Sequence, residues 1–160
     1  MTAAQPSDYV PPAHIRVLAV ALVRHPRTGA HLMSEFVDQS RGAVFHRPPG
    51  GGIEFGETAQ GALRREMLEE FATEVEVGER LAVIENLFTF NGAPGHEWVV
   101  VHAARLCDDR LLGEGPFPVL DAPTDVGVWR PPGGAGLPTL VPPGVAALLD
   151  PGTASLSRGW

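Results

Sequence analysis

Apolar positions in this chain fall into short runs of β-branched and aliphatic residues, separated by breaks rich in proline and glycine. From His14 to Val23 the aliphatic content rises sharply, which predicts a buried strand. His25-Pro-Arg-Thr-Gly29 supplies a turn, and Ala30 to Val37 returns as the hairpin partner. After a loop from Asp38 to Gly42, Ala43 to His46 forms a short strand leading into Arg47-Pro-Pro-Gly50. Further on, Glu74 to Val77 and Leu81 to Phe90 read as strands. In the second of these, Ile84, Phe88 and Phe90 share one face while Leu81, Val83, Glu85 and Leu87 share the other. Both faces are mostly apolar, so an interior strand is expected. Asn91-Gly92 opens a loop that runs through Gly95, and His96 to Leu106 then pairs back as a hairpin. Val126 to Trp129 is a last short strand, Pro131 to Pro143 an irregular connection, and Gly144 to Asp150 a short closing helix.

The period changes between Thr58 and Phe71. Leu63, Met67 and Phe71 recur at i, i+4 and i+8, the stripe of a helix that buries one side, and Thr58 is a good N-cap. Ala72 tolerates a left-handed C-cap poorly, so the helix end is expected to depart from the usual glycine stop. Next to the apolar stripe, Glu66, Glu69 and Glu70 lie at i, i+3 and i+4, within an arc of roughly 100°. Acids this close repel one another, and Arg65 offsets that only in part. A divalent ion removes the conflict, because Mg²⁺ takes oxygen ligands and shares itself between carboxylates and phosphates. Immediately before the helix, Gly50, Gly51 and Gly52 let the backbone approach a ligand closely.

Composition narrows the class. At 160 residues the chain suits one domain, expected over residues 14–150, with 1–13 as a flexible leader and 151–160 as a loose tail. Twelve basic residues against nineteen acidic ones give a net charge of −7. No basic run is present, which argues against a polymeric nucleic acid partner. Cys107 is the single cysteine, so an intrachain disulfide and a zinc cluster are excluded. The longest apolar run, Val17 to Val23, is far too short to cross a membrane. A cytoplasmic protein is expected, with a homodimer left open.

Gly51, Glu57 and Arg65-Glu66-Met67-Leu68-Glu69-Glu70 stand at the spacing of the signature of the Nudix hydrolases, which the chain resembles position for position through Glu70. The departures are Ala72 and Thr73, where that family has a glycine and then an aliphatic residue. The resemblance implies an α/β fold, the Nudix-type α/β/α sandwich with a mixed sheet. It also implies Mg²⁺- or Mn²⁺-dependent hydrolysis of a small-molecule nucleotide substrate, a nucleoside diphosphate linked to another group. Glu66, Glu69 and Glu70 would hold metal, with the Gly50 carbonyl as a further ligand and Glu69 and Glu70 serving catalysis. Glu57 and Arg65 would brace the loop against the helix, and Gly51 and Gly52 would line the substrate. A nucleotide-binding regulator without turnover is the alternative, but it would be expected to have lost one of these acids.

Outside the signature, Arg47 is a candidate phosphate grip. Phe36, Phe45, Phe88 and Trp98 are candidates to stack a base, against an ordinary core role. Glu97 stands in an otherwise apolar strand, so it either meets solvent beside the Asn91 to Gly95 loop or enters the site beside Glu85 as a further catalytic acid.

Overall fold

The computed structural model describes residues 3–149 of the chain. Among the described residues ten strands form, in order β1 Pro6–Ser7, β2 Ile15–Val23, β3 His31–Asp38, β4 Ala43–Arg47, β5 Gly50–Gly52, β6 Val75–Phe90, β7 Ala93–Leu106, β8 Phe117–Pro118, β9 Val126–Arg130 and β10 Thr139–Leu140. Helix α1 covers Ala59–Phe71, and a 3₁₀ turn at Pro143–Val145 leads into α2, Ala146–Leu149. One sheet runs β5-β2-β7-β6, with β2 and β7 parallel and the other neighbours antiparallel. The second runs β10-β4-β3-β9-β8, with β1 added to β3.

Alternation along β2 divides the core in two. Ala19, Ala21 and Val23 point toward α1 and meet Ala62, Leu63, Met67 and Phe71. Leu18, Val20 and Leu22 point the other way, toward Met33, Val99, Val101, Leu140 and Val145, with Leu148 and Leu149 of α2 packed against them. The sheets are therefore flanked by a helix on each side, the expected α/β/α sandwich. Each fully buried side chain such as Leu63 or Met67 contributes about 1.5–3 kcal/mol to fixing α1 in place.

Several sequence expectations need correction. Residues 4 to 13 do not run free: β1 pairs in parallel with Val37 and Asp38, and the Asn91 side chain donates to the carbonyls of Ser7 and Tyr9. The two strands expected at 74–77 and 81–90 form one strand, with register irregularities between Val77 and Ala82. That strand lies at the edge of its sheet, leaving Val83 50% and Leu87 73% exposed. The connection to β7 is reduced to Asn91-Gly92, both at positive φ as a tight hairpin turn requires. Ala72 adopts the left-handed C-cap after all, at φ 50°, with its N–H bonded to the Leu68 carbonyl. Burial of Phe71 and Thr73 on either side fixes the chain there, and packing outweighs the local cost. The Pro131 to Pro143 connection contains β10, which pairs with Phe45 and His46. The expected loose tail at 151–160 lies outside the described residues.

Candidate active site

Helix α1 and strand β5 build the site between them. The Thr58 hydroxyl caps the helix by accepting from the Gly61 N–H at 3.0 Å. Strand β5 pairs with β2, Gly50 facing Val20 and Gly52 facing Leu18. Gly50 sits at φ 145°, and a Cβ there would strike the Ala19 carbonyl. A Cβ at Gly51 would strike the Glu66 carboxylate, so the strand is glycine because an acid lies directly on it.

Arg65 ties the parts together. Its Nε and Nη2 donate to the two carboxylate oxygens of Glu57 at 2.9 Å, and Nη2 also donates to the Gly52 carbonyl at 2.9 Å. Nη1 reaches Glu66 at 2.9 Å and Glu69 at 3.3 Å. The hydrogen bonds from Arg65 hold the Glu57 carboxyl down to about 2. One guanidinium thus joins the loop, the helix and two of the acids.

The acids differ sharply in setting. Glu69 keeps 48% of its side chain exposed, while burial pushes the Glu66 carboxyl above its ordinary range. Glu70 is the most enclosed. It accepts one hydrogen bond, from the Gly50 N–H at 3.3 Å, and burial pushes its pKa up to about 8, with Arg47 opposing and Asp121 and Glu66 reinforcing the shift. Ligand oxygens of Glu66, Glu69 and Asp121 lie within 4.8 Å of one another. An all-oxygen set with this excess of negative charge matches a hard divalent cation such as Mg²⁺ or Mn²⁺. Asp121 is the acid that sequence reasoning passes over, since a lone loop aspartate has no period. A bond from the Leu120 N–H to the Glu70 carbonyl at 2.8 Å docks its loop on α1.

Glu97 does not join them. The β6 to β7 register sets it opposite Asn86 and sets Glu85 opposite Trp98, so the two acids occupy opposite faces of the hairpin. Glu85 meets His96 at 3.0 Å, whereas Glu97, on the side of Val99 and Val101 and away from α1, meets Arg16 at 3.4 Å. Arg47 is better placed. Its Nε is buried without a hydrogen-bond partner, as is the hydroxyl of its cross-strand neighbour Ser34. Among the aromatics, Phe36 stacks on Phe45 at 5.8 Å, Phe88 lies over Gly95, and Trp98 is partly exposed on the opposite face of β7 from Glu97.

A helix presenting carboxylates to a glycine strand, braced by an arginine, defines the class, and the comparisons agree. A model of the NUDIX domain matches residues 14–143. The chain belongs to the Nudix hydrolase family, whose members act on small nucleotide substrates. It is 27% identical to the E. coli ORF135 protein, with a TM-score of 0.54 over 85% of this chain and 86% of that one. The MutT NUDIX hydrolase from Burkholderia pseudomallei is 21% identical, with a TM-score of 0.58 over 85% of this chain and 98% of that chain. A NUDIX hydrolase from Nitrosomonas europaea is 19% identical, with a TM-score of 0.51 over 74% and 73%. A comparison with curated proteins returned no match. Among the described residues no helix is long and apolar enough to cross a membrane.

Proposed function

We propose that the chain is a Mg²⁺- or Mn²⁺-dependent pyrophosphohydrolase that cleaves a nucleoside diphosphate linked to another group, such as a nucleoside triphosphate, ADP-ribose or a nucleotide sugar. The observation that carries this reading is the convergence of Glu66, Glu69 and Asp121 on one point beside Gly51, with the buried Glu70 behind them. Glu66, Glu69, Glu70, Asp121 and the Gly50 carbonyl would hold metal. When bound, the ion supplies neutralising charge at the diphosphate oxygens and lowers the pKa of a bound water. Arg47, with an unspent buried Nε–H, grips a non-bridging phosphate oxygen. Gly51 and Gly52 allow the diphosphate to lie against the backbone, and Arg65 keeps that strand at a fixed distance from the acids. Glu69, the most accessible of the three helix acids, accepts the proton released as water attacks phosphorus.

The test is incubation with a panel of nucleoside diphosphate derivatives in Mg²⁺ or Mn²⁺. A nucleoside monophosphate and the remaining phosphorylated group are the expected products, and exhaustive chelation should abolish them. Equal turnover after chelation overturns the reading.

A further inference from the structure

We propose that two copies of this chain join through the free edge of β6, the two strands running antiparallel about a twofold axis at Val83. β6 is the outer strand of its sheet, sixteen residues long with β7 on one side only. Such an edge is a template for another strand unless charge, bulges or a covering segment guard it. The register irregularities of β6 lie between Val77 and Ala82, so the ladder is regular from Ala82 to Phe90. Within that stretch Val83 and Leu87 hold apolar side chains in solvent.

The hairpin decides which backbone groups face outward. Its two-residue turn makes Phe90 and Ala93 the closing hydrogen-bonded pair, and the alternation of an antiparallel ladder then directs the N–H and C=O of Val83, Glu85, Leu87 and Thr89 away from β7. The Thr89 carbonyl accordingly accepts from Arg41 Nη2 at 3.0 Å. Among the described residues, no bond from outside the hairpin reaches the backbone of Val83, Glu85 or Leu87.

The side chains of this edge identify the occupant. Leu87, Glu85, Val83, Arg80 and Val77 oppose His96, Trp98, Val100, His102 and Ala104 in turn, so the row shares the face that carries α1. Turned about Val83, the row is its own complement. Val83 meets Val83 of the second copy, Glu85 meets Arg80 and Leu87 meets Val77, and the charged pair occurs twice, as an isologous interface requires. Moving the axis one ladder step either way sets Glu85 against Glu85 or Arg80 against Arg80, and like charges directly opposite are unfavourable. Arg80 is exposed, with no hydrogen bond or ion pair to its side chain among the described residues. Glu85 meets His96 but keeps 46% of its side chain exposed. β5 lies at the opposite edge of the sheet, so the join leaves Gly51 and the helix acids open in both copies.

Sedimentation equilibrium of the full-length protein from about 1 to about 200 μM tests this. The parent should pass from monomer to dimer within that range. Val83→Lys sets like charges across the axis and Arg80→Glu sets an acid against Glu85, so each should weaken dimerisation about tenfold. Arg80→Glu combined with Glu85→Arg exchanges the charges within each pair and should recover the dimer, which damage to the fold would not do. The amides of Val83, Glu85 and Leu87 should exchange about tenfold more slowly at the highest concentration than at the lowest. A parent that stays monomeric throughout overturns the proposal, and protection of those amides in such a monomer would show the edge covered by another segment of the same chain. A dimer indifferent to Val83→Lys and Arg80→Glu, or one not recovered by the double exchange, overturns it as well.

Discussion

Two buried carboxylates, Asp38 and Glu70, are treated in opposite ways. Asp38, at the end of β3, accepts hydrogen bonds from the Ser40 N–H and hydroxyl, the Arg41 N–H and guanidinium, and the Asn91 N–H. Burial raises its pKa, but the bonds from Ser40 and Arg41 and the Asn91 amide outweigh that and hold it down to about 2. Glu70, in the middle of the site, has one bond at 3.3 Å and a pKa pushed up to about 8. A buried acid surrounded by donors is a fastener, here locking the β3 to β4 loop to the β6 to β7 turn. One left short of donors beside other acids is, on the proposed reading, a place held for a cation.

The sharpest way to break this contrast is to neutralise each acid in turn. Glu70→Gln should lower kcat by about 10² to 10³, because a charge aimed at the reacting centre is lost. It should not destabilise the metal-free fold. Between the ordinary glutamate value of 4.5 and about 8, folded Glu70 keeps a proton that the unfolded chain gives up, so metal-free stability falls as pH rises through that window. Removing the charge removes the penalty. The variant's melting temperature should match the parent at pH 5 and exceed it above pH 8.

Asp38→Asn should do the reverse, with unfolding free energy down by about 3–5 kcal/mol in urea titration, since a buried acid is removed from its cation and donors. Activity per folded molecule should be kept. Because its folded pKa is depressed, the Asp38 contribution is present above the ordinary aspartate range and lost only as pH falls toward 2. Asp121→Asn is the milder test. It should weaken Mn²⁺ binding about tenfold, measured by calorimetry, with little change in melting temperature, as expected for one exposed ligand among several.

The two acids also differ in how far they could be read from the chain. The place of Glu70 on the helix face with Glu66 and Glu69 was legible, because spacing on one face is a local fact, and α1 from Ala59 to Phe71, capped by Thr58, follows from the same periodicity. Asp38 reads only as the start of a loop: Arg41, three residues on, is a local partner, but Asn91 is brought to it by a tertiary contact. The same limit explains Asp121 and Glu97. Whether an acid enters the site depends on where a loop docks and on which face a strand's register puts it. One residue of register separates Glu97 from Trp98, and the α1 side of the sheet from the other. Edge and interior strands were likewise indistinguishable for Leu81 to Phe90, whose apolar outer face is exposed.

On the proposed reading, Glu70 is kept short of hydrogen bonds so that a divalent ion can complete it. Calorimetric titration of Mn²⁺ into the protein at pH 7, repeated in buffers of different ionisation enthalpy, counts the protons released on binding. A carboxyl with a pKa of about 8 is mostly protonated at that pH and must ionise to become a ligand. Release of close to one proton per ion by the parent protein, and its loss in Glu70→Gln, is the predicted result. Binding without proton release, or release unchanged in the variant, would contradict it.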